Sequence, residues 1–121
     1  MQKLAKREAQ IMQAIWQLDR AFIKDIIELL PDPKPHYNSV STMVKLLESK
    51  GFVAREGQKT GNAYRYYALV PKEDYQEEIV DDVVKRYFDN SPLNLVNYFA
   101  KEQKLSAEDL ERVLKMIKNK D

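Results

Sequence analysis

Apolar residues return along this chain at helical spacing in six places, interrupted once, near the middle, by a stretch of strand-forming residues. The first periodic run predicts a helix over Lys6 to Leu18, where Ile11, Ile15 and Leu18 recur with Met12 and Trp16 beside them. Trp16 reads as a core anchor rather than a ligand platform. Asp19 to Phe22 breaks the pattern and could supply a short strand. Ile23, Ile26, Ile27 and Leu30 then stand one and two turns apart, the signature of a second amphipathic helix that Pro31 ends. The connection Pro31 to Tyr37 holds too many prolines to be helical throughout.

A third helix follows. At roughly 100° per residue, Val40, Met43, Val44 and Leu47 share one face, with Leu46 at its margin. Asn38 or Ser39 is the expected N-cap, and Gly51 the expected left-handed residue past the end. Phe52 to Arg55 and Ala63 to Leu69 have strand composition, and Glu56 to Asn62 between them carries glycines that permit positive φ at a hairpin tip. Tyr64, Tyr66 and Tyr67 are expected as wall and core of that hairpin rather than as a stacking platform.

Three more helices complete the chain. Pro71 fits the first position of the fourth, with Glu73 and Asp74 near its positive end. Ser91 caps the fifth and Pro92 opens it; Ser106 to Asp109 forms a capping box for the sixth. Together these helices carry more apolar surface than they can bury among themselves, and isolated helices of this length are marginal. The economical solution is a second copy of the chain, meeting through Ile79, Val83, Tyr87, Leu95, Val96, Phe99, Leu110, Leu114 and Ile117. The alternative is docking back onto the rest of the same molecule. The expected fold is thus mainly α with a small β-hairpin: a winged helix-turn-helix over residues 1–70 and a helical dimerisation segment over 71–121.

Composition adds constraints. The 121 residues include 44% hydrophobic and 32% charged, as in a soluble globular protein, and no cysteine, which excludes disulfides and thiolate metal sites. No run is long enough to cross a bilayer and no signal-peptide pattern is visible, so the expected location is cytoplasmic. The net charge of +1 conceals a split. Residues 1–70 hold 11 Lys and Arg against 7 Asp and Glu, whereas residues 71–121 hold 9 against 12. A basic half joined to an acidic half suits one nucleic-acid face and one protein face.

Candidate chemistry lies on the third helix and the hairpin. The face opposite the apolar one carries Asn38, Ser41, Thr42, Lys45 and Ser49: short donors and acceptors for base edges, one cation for phosphate, no acid. Lys59, Thr60 and Asn62 would project from the hairpin tip. Arg65 either pairs locally or reaches DNA. His36 is the only histidine and reads as a loop residue, so neither a His-based metal site nor a triad can be assembled. The carboxylates fall at helix caps and solvated faces. The chain is not expected to be an enzyme, and no cofactor, metal or small-molecule ligand is evident. A protein–protein assembly module without DNA binding is the alternative to a DNA-binding regulator.

With that order in place, the chain resembles the penicillinase-repressor (BlaI/MecI/CopY) family. The resemblance is carried by Lys6 to Met12, Ile23 to Ile26, Val40 to Met43 through Leu47, Lys50 to Val53, Tyr64 to Tyr66 and Leu69 to Tyr75, in register over nearly the whole chain. It implies a homodimeric winged-helix transcriptional repressor that binds double-stranded inverted-repeat operators. It also implies Ser39, Ser41, Thr42 and Lys45 at DNA-reading positions, with Lys59 and Asn62 in the wing. The copper-responsive branch uses a C-terminal cysteine cluster, which this chain lacks. The β-lactam-responsive branch is inactivated by a membrane sensor protease at an Asn-Phe bond in the fifth helix. The corresponding bond here is Tyr98-Phe99, with Asn97 one place early. Phe22 stands where the family often has Thr, so the second helix is expected to lack a side-chain cap.

Overall fold

The computed structural model describes residues 3–119. In chain order the elements are α1 (Lys6–Leu18), β1 (Arg20–Ala21), α2 (Ile23–Leu29), α3 (Tyr37–Ser49), β2 (Val53–Arg55), β3 (Tyr66–Ala68), α4 (Lys72–Tyr87), α5 (Pro92–Lys101) and α6 (Ala107–Lys118). They divide into two compact units, Met1–Glu77 and Glu78–Asp121, so the division falls inside α4 rather than ahead of it.

The first unit buries one apolar cluster. Ile11, Met12 and Ile15 of α1 meet Ile23 and Ile26 of α2, Val40, Val44 and Leu47 of α3, and Phe52, Val53 and Tyr66 of the hairpin. These are the periodic positions read from the sequence, with Met43 half-buried and Leu46 exposed at the margin. Trp16 packs against the cluster, and its indole Nε1 donates to the Val70 carbonyl at 2.9 Å. Its ring lies 6.0 Å from that of Tyr75, whose hydroxyl accepts from the Leu4 amide at 2.8 Å. An indole N–H buried without a partner would cost free energy, and this bond removes that cost.

The sheet has the order β1-β3-β2, all antiparallel. Tyr66 pairs with Ala21 on one side and Arg55 on the other, and Tyr67 with Arg20 and Ala54. Strand pairing is shorter than composition suggested: β3 begins at Tyr66 rather than Ala63, although the Glu56 amide still donates to the Arg65 carbonyl at 2.9 Å. At the tip, Thr60 and Ala63 form an isolated bridge around Gly61 and Asn62, with Gly61 at φ 64°. Positive φ at the first of two central residues is the pattern of a type II′ hairpin turn, where glycine carries no Cβ penalty.

Helix ends follow local capping signals in some places and depart from them in others. Gly51, at φ 84°, closes α3 as expected: its amide donates to Glu48 at 3.1 Å, and the Phe52 amide donates to Leu47 at 2.9 Å, together a Schellman motif. The start of α3 corrects the expectation. Tyr37 is already helical and His36 is the N-cap, without a side-chain bond, so Asn38 and Ser39 lie inside the first turn. The second helix begins after Phe22 without a side-chain cap, and only the Asp25 carboxylate reaches back to the Phe22 amide, at 3.4 Å. Pro71 precedes α4 instead of opening it, its carbonyl accepting from the Tyr75 amide at 3.2 Å.

The second unit is thin. Ser91 Oγ accepts from the Asn94 amide at 3.2 Å, with Pro92 at the first helical position of α5. Ser106 and Asp109 form the expected reciprocal box on α6, at 3.0 and 3.1 Å. Val84 is buried, and Phe88 meets Tyr98 edge-on at 5.8 Å. α6, by contrast, has no buried residue: Met116 and Ile117 are 67% and 66% exposed. Among the described residues no helix is long and apolar enough to cross a membrane.

Candidate nucleic-acid interface

Burying Val40, Val44 and Leu47 against α1 and α2 turns the other side of α3 outward. Asn38, Ser39, Thr42 and Lys45 are exposed there, and Ser41 is half-buried. Thr42 Oγ1 donates to the Asn38 carbonyl at 2.9 Å, and Ser49 Oγ to the Leu46 carbonyl at 2.9 Å. Those hydroxyl protons are therefore used within the helix. What Thr42 offers outward is its methyl group and its hydroxyl lone pairs, an apolar contact for a thymine methyl or an acceptor for a base amine.

The hairpin folds back beside α3 because Val53, Tyr66 and Phe52 belong to the same core as Leu47 and Val44. Between helix and wing lies a groove of about 220 Å³. Ser41, Lys45, Lys59 and Asn62, four residues that the sequence already marks as candidates, line it together. Arg55 and Tyr37 line it as well. An adjoining hollow of about 260 Å³ shares Tyr37 and Asn62 and adds Phe22, Lys24 and Thr60. Lys24, Lys45, Arg55 and Lys59 thus border these two spaces, and no carboxylate does. An array of cations without acids, next to a short polar helix face, can neutralise a phosphate backbone while leaving the helix to meet base edges.

Arg65 stands apart from this set. It is half-buried and its Nη2 donates to Glu56 Oε2 at 3.2 Å, with Nε also paired to the same carboxylate. Its charge is used to brace the hairpin, so of the two roles read from the sequence the local pairing is the one it adopts. Tyr64 and Tyr67 are half-buried and Tyr66 buried, as wall and core. Burial, reinforced by the Glu48 carboxylate, raises the Tyr66 phenol above its ordinary range and keeps it neutral.

Arg55, Tyr37 and Lys24 join the site without having stood out in the sequence. Arg55 follows buried Val53 by two positions, so strand alternation alone puts it on the inner face of the wing. Tyr37 stood in a loop by its proline-rich context, and only the earlier start of α3 brings it to the groove. Tyr98 and Phe99, the candidate processing bond, lie within α5, with their rings 5.5 Å apart.

Comparison with known proteins follows the same lines. The family model described as "Penicillinase repressor" matches residues 4–119. Among solved structures, a mutant of MarR from E. coli superposes with a TM-score of 0.54 at 13% identity, covering 96% of this chain and 76% of that one. A disulfide-formed AbfR superposes at 0.50 with 21% identity, covering 94% and 72%. At these identities the structural likeness speaks for the winged-helix fold of such regulators. No individually curated protein matches the chain. The matching family and fold are those of transcriptional regulators, which are not enzymes.

Proposed function

The chain belongs to the penicillinase-repressor family, and from that premise we propose that this DNA-binding repressor works as a homodimer on an inverted-repeat operator. The observation that carries the reading is the groove: Lys45, Arg55 and Lys59 converge on it with no carboxylate among its lining residues, beside the polar face of α3. Each α3 would enter a major groove, the half-sites lying about 34–36 Å apart, one turn of duplex. Asn38, Ser39, Ser41 and Thr42 would face base edges, Lys45 and Lys59 would meet phosphates, and Asn62 would approach from the wing tip. Repression follows from occupying a promoter; no bond is made or broken. Residues 1–70 supply the DNA face and residues 71–121 the contact between copies, and the protein acts in the cytoplasm, where the operator is.

The dimer assignment is supported by apolar surface that the second unit leaves open. Tyr87 is 74% exposed, and Val96, Leu110, Leu114 and Ile117 are exposed on α5 and α6. Pairing two such faces removes the exposed patch from water and gives thin helices the packing they lack. Inactivation by a membrane sensor protease at Tyr98-Phe99 belongs to the same proposal. Because that bond lies inside α5, cleavage requires local unwinding of the helix.

Selection from a random duplex library, followed by anisotropy titration and sedimentation, tests the reading. The expected result is enrichment of an inverted repeat, bound by two copies with salt-sensitive affinity. Absence of any duplex binding at low salt overturns it.

A further inference from the structure

The groove cations differ in how they are held. Among the described residues, Lys45 and Lys59 have no carboxylate in ion-pair range, whereas Arg55 Nε lies 3.5 Å from Glu48 Oε2 on α3. Both partners face water, their side chains 49% and 31% exposed. Elsewhere in the same unit, Lys50 and Glu8 close to 2.8 Å with the carboxylate only 11% exposed. The Arg55–Glu48 pair is the longer and wetter of the two, the kind whose net worth in water is small.

Arg55 also meets an aromatic ring. Its guanidinium carbon sits 4.7 Å from the centroid of the Tyr64 ring, which Lys59 approaches at 5.5 Å. A ring beneath the guanidinium carbon attracts the cation without using its N–H groups as donors. The carboxylate sits on the Nε side, and among the described residues the terminal amino groups of this groove-lining residue have no hydrogen-bond partner. A second oxyanion could therefore approach in the plane of the fork.

We propose that Glu48 tunes DNA binding as a competing partner: it holds the Arg55 guanidinium at the groove in the free protein and yields it to a duplex phosphate in the complex. This rests on the DNA-binding reading above. Arg55 then anchors a phosphate, and Glu48, by competing for the same guanidinium, sets how strongly it does so. Tyr64 stays against the guanidinium through the exchange of partners.

Anisotropy titrations over a salt series, on the selected inverted repeat, test this with Glu48→Gln, Glu48→Ala, Arg55→Ala and the Glu48→Gln/Arg55→Ala double variant. Arg55→Ala is expected to bind more weakly, with a salt slope shallower by about 0.9 for each phosphate that it no longer neutralises. Both Glu48 variants are expected to bind roughly two- to fivefold tighter than wild type, with the slope retained. On the Arg55→Ala background the gain from Glu48→Gln is expected to vanish. A gain that persists there makes Glu48 a general repulsive charge and overturns the proposal, as does an unchanged slope in Arg55→Ala. If the wild-type chain binds no duplex, the DNA-binding reading fails and takes this one with it; wild-type binding with either of the other two results sinks this one alone.

Discussion

Lys45 is the cation of α3 that faces the wing groove, exposed and without a carboxylate in ion-pair range among the described residues. Its replacement by alanine is expected to weaken operator binding and to flatten the salt dependence by about 0.9 per phosphate, with thermal stability unchanged. A preserved slope in the titration would remove Lys45 from the phosphate-binding set. Glu8 illustrates the opposite case, a charge held inward. The hydrogen bond from Lys50 and that from the Ala5 amide hold its carboxyl below the ordinary value of 4.5, against burial, which pushes it up. A lowered folded-state pKa contributes stability that is present above the ordinary value and lost as pH falls through the folded one. Glu8→Gln is therefore expected to cost about 1–2 kcal/mol at pH 7, with the gap in Tm to wild type closing as acid protonates the wild-type residue. Thermal melts at pH 7 and over a series running down from 4.5 check this, and a gap that does not narrow on the acid side would contradict it.

Individual elements owe their limits to local chemistry in some places and to packing in others. Gly51 ends α3 by local chemistry: its φ of 84° suits glycine, and an added Cβ would meet nothing within 4 Å. The expected cost of Gly51→Ala is thus purely backbone, about 1 kcal/mol in a denaturant titration; a loss several times larger would mean that the helix end is constrained in some other way. Duplex affinity of the folded protein should be unaffected. The start of α3 is set differently. Asn38 and Ser39 are good capping residues, yet the helix begins before them at Tyr37, and of its first four residues only Val40 is buried. The wing shows the same limit. Strand composition runs from Ala63, but only Tyr66 and Tyr67 find partners on both sides, and Ala68 on one.

For the molecule as a whole, the feature that decides assembly is the apolar face that the second unit leaves open to water. Ile117 is 66% exposed on a helix without a buried residue. If that face is the contact between copies, Ile117→Glu is expected to weaken dimerisation by roughly tenfold or more, since it removes a buried aliphatic side chain and places a charge there. Sedimentation equilibrium reads the association directly, and operator affinity should fall with it while the first unit keeps its melting behaviour. Association unaltered by this substitution would place the contact elsewhere.

Local sequence dictated the six helices, the core faces of α1 to α3, the caps at Ser91 and Ser106, and the glycine turn of the wing. These rest on interactions between residues a few positions apart, so the order of residue types suffices to specify them. The polar outer face of α3 was legible for the same reason, being the complement of a face that had to be buried. Tertiary structure decided which side chains share the groove. Arg55 reaches it from the strand after α3 and Tyr37 from the first position of α3 itself, while Arg65 is drawn away by Glu56. Those outcomes depend on how the wing closes against the helix and on which carboxylate lies nearest once it has, distances that no local pattern in the chain contains.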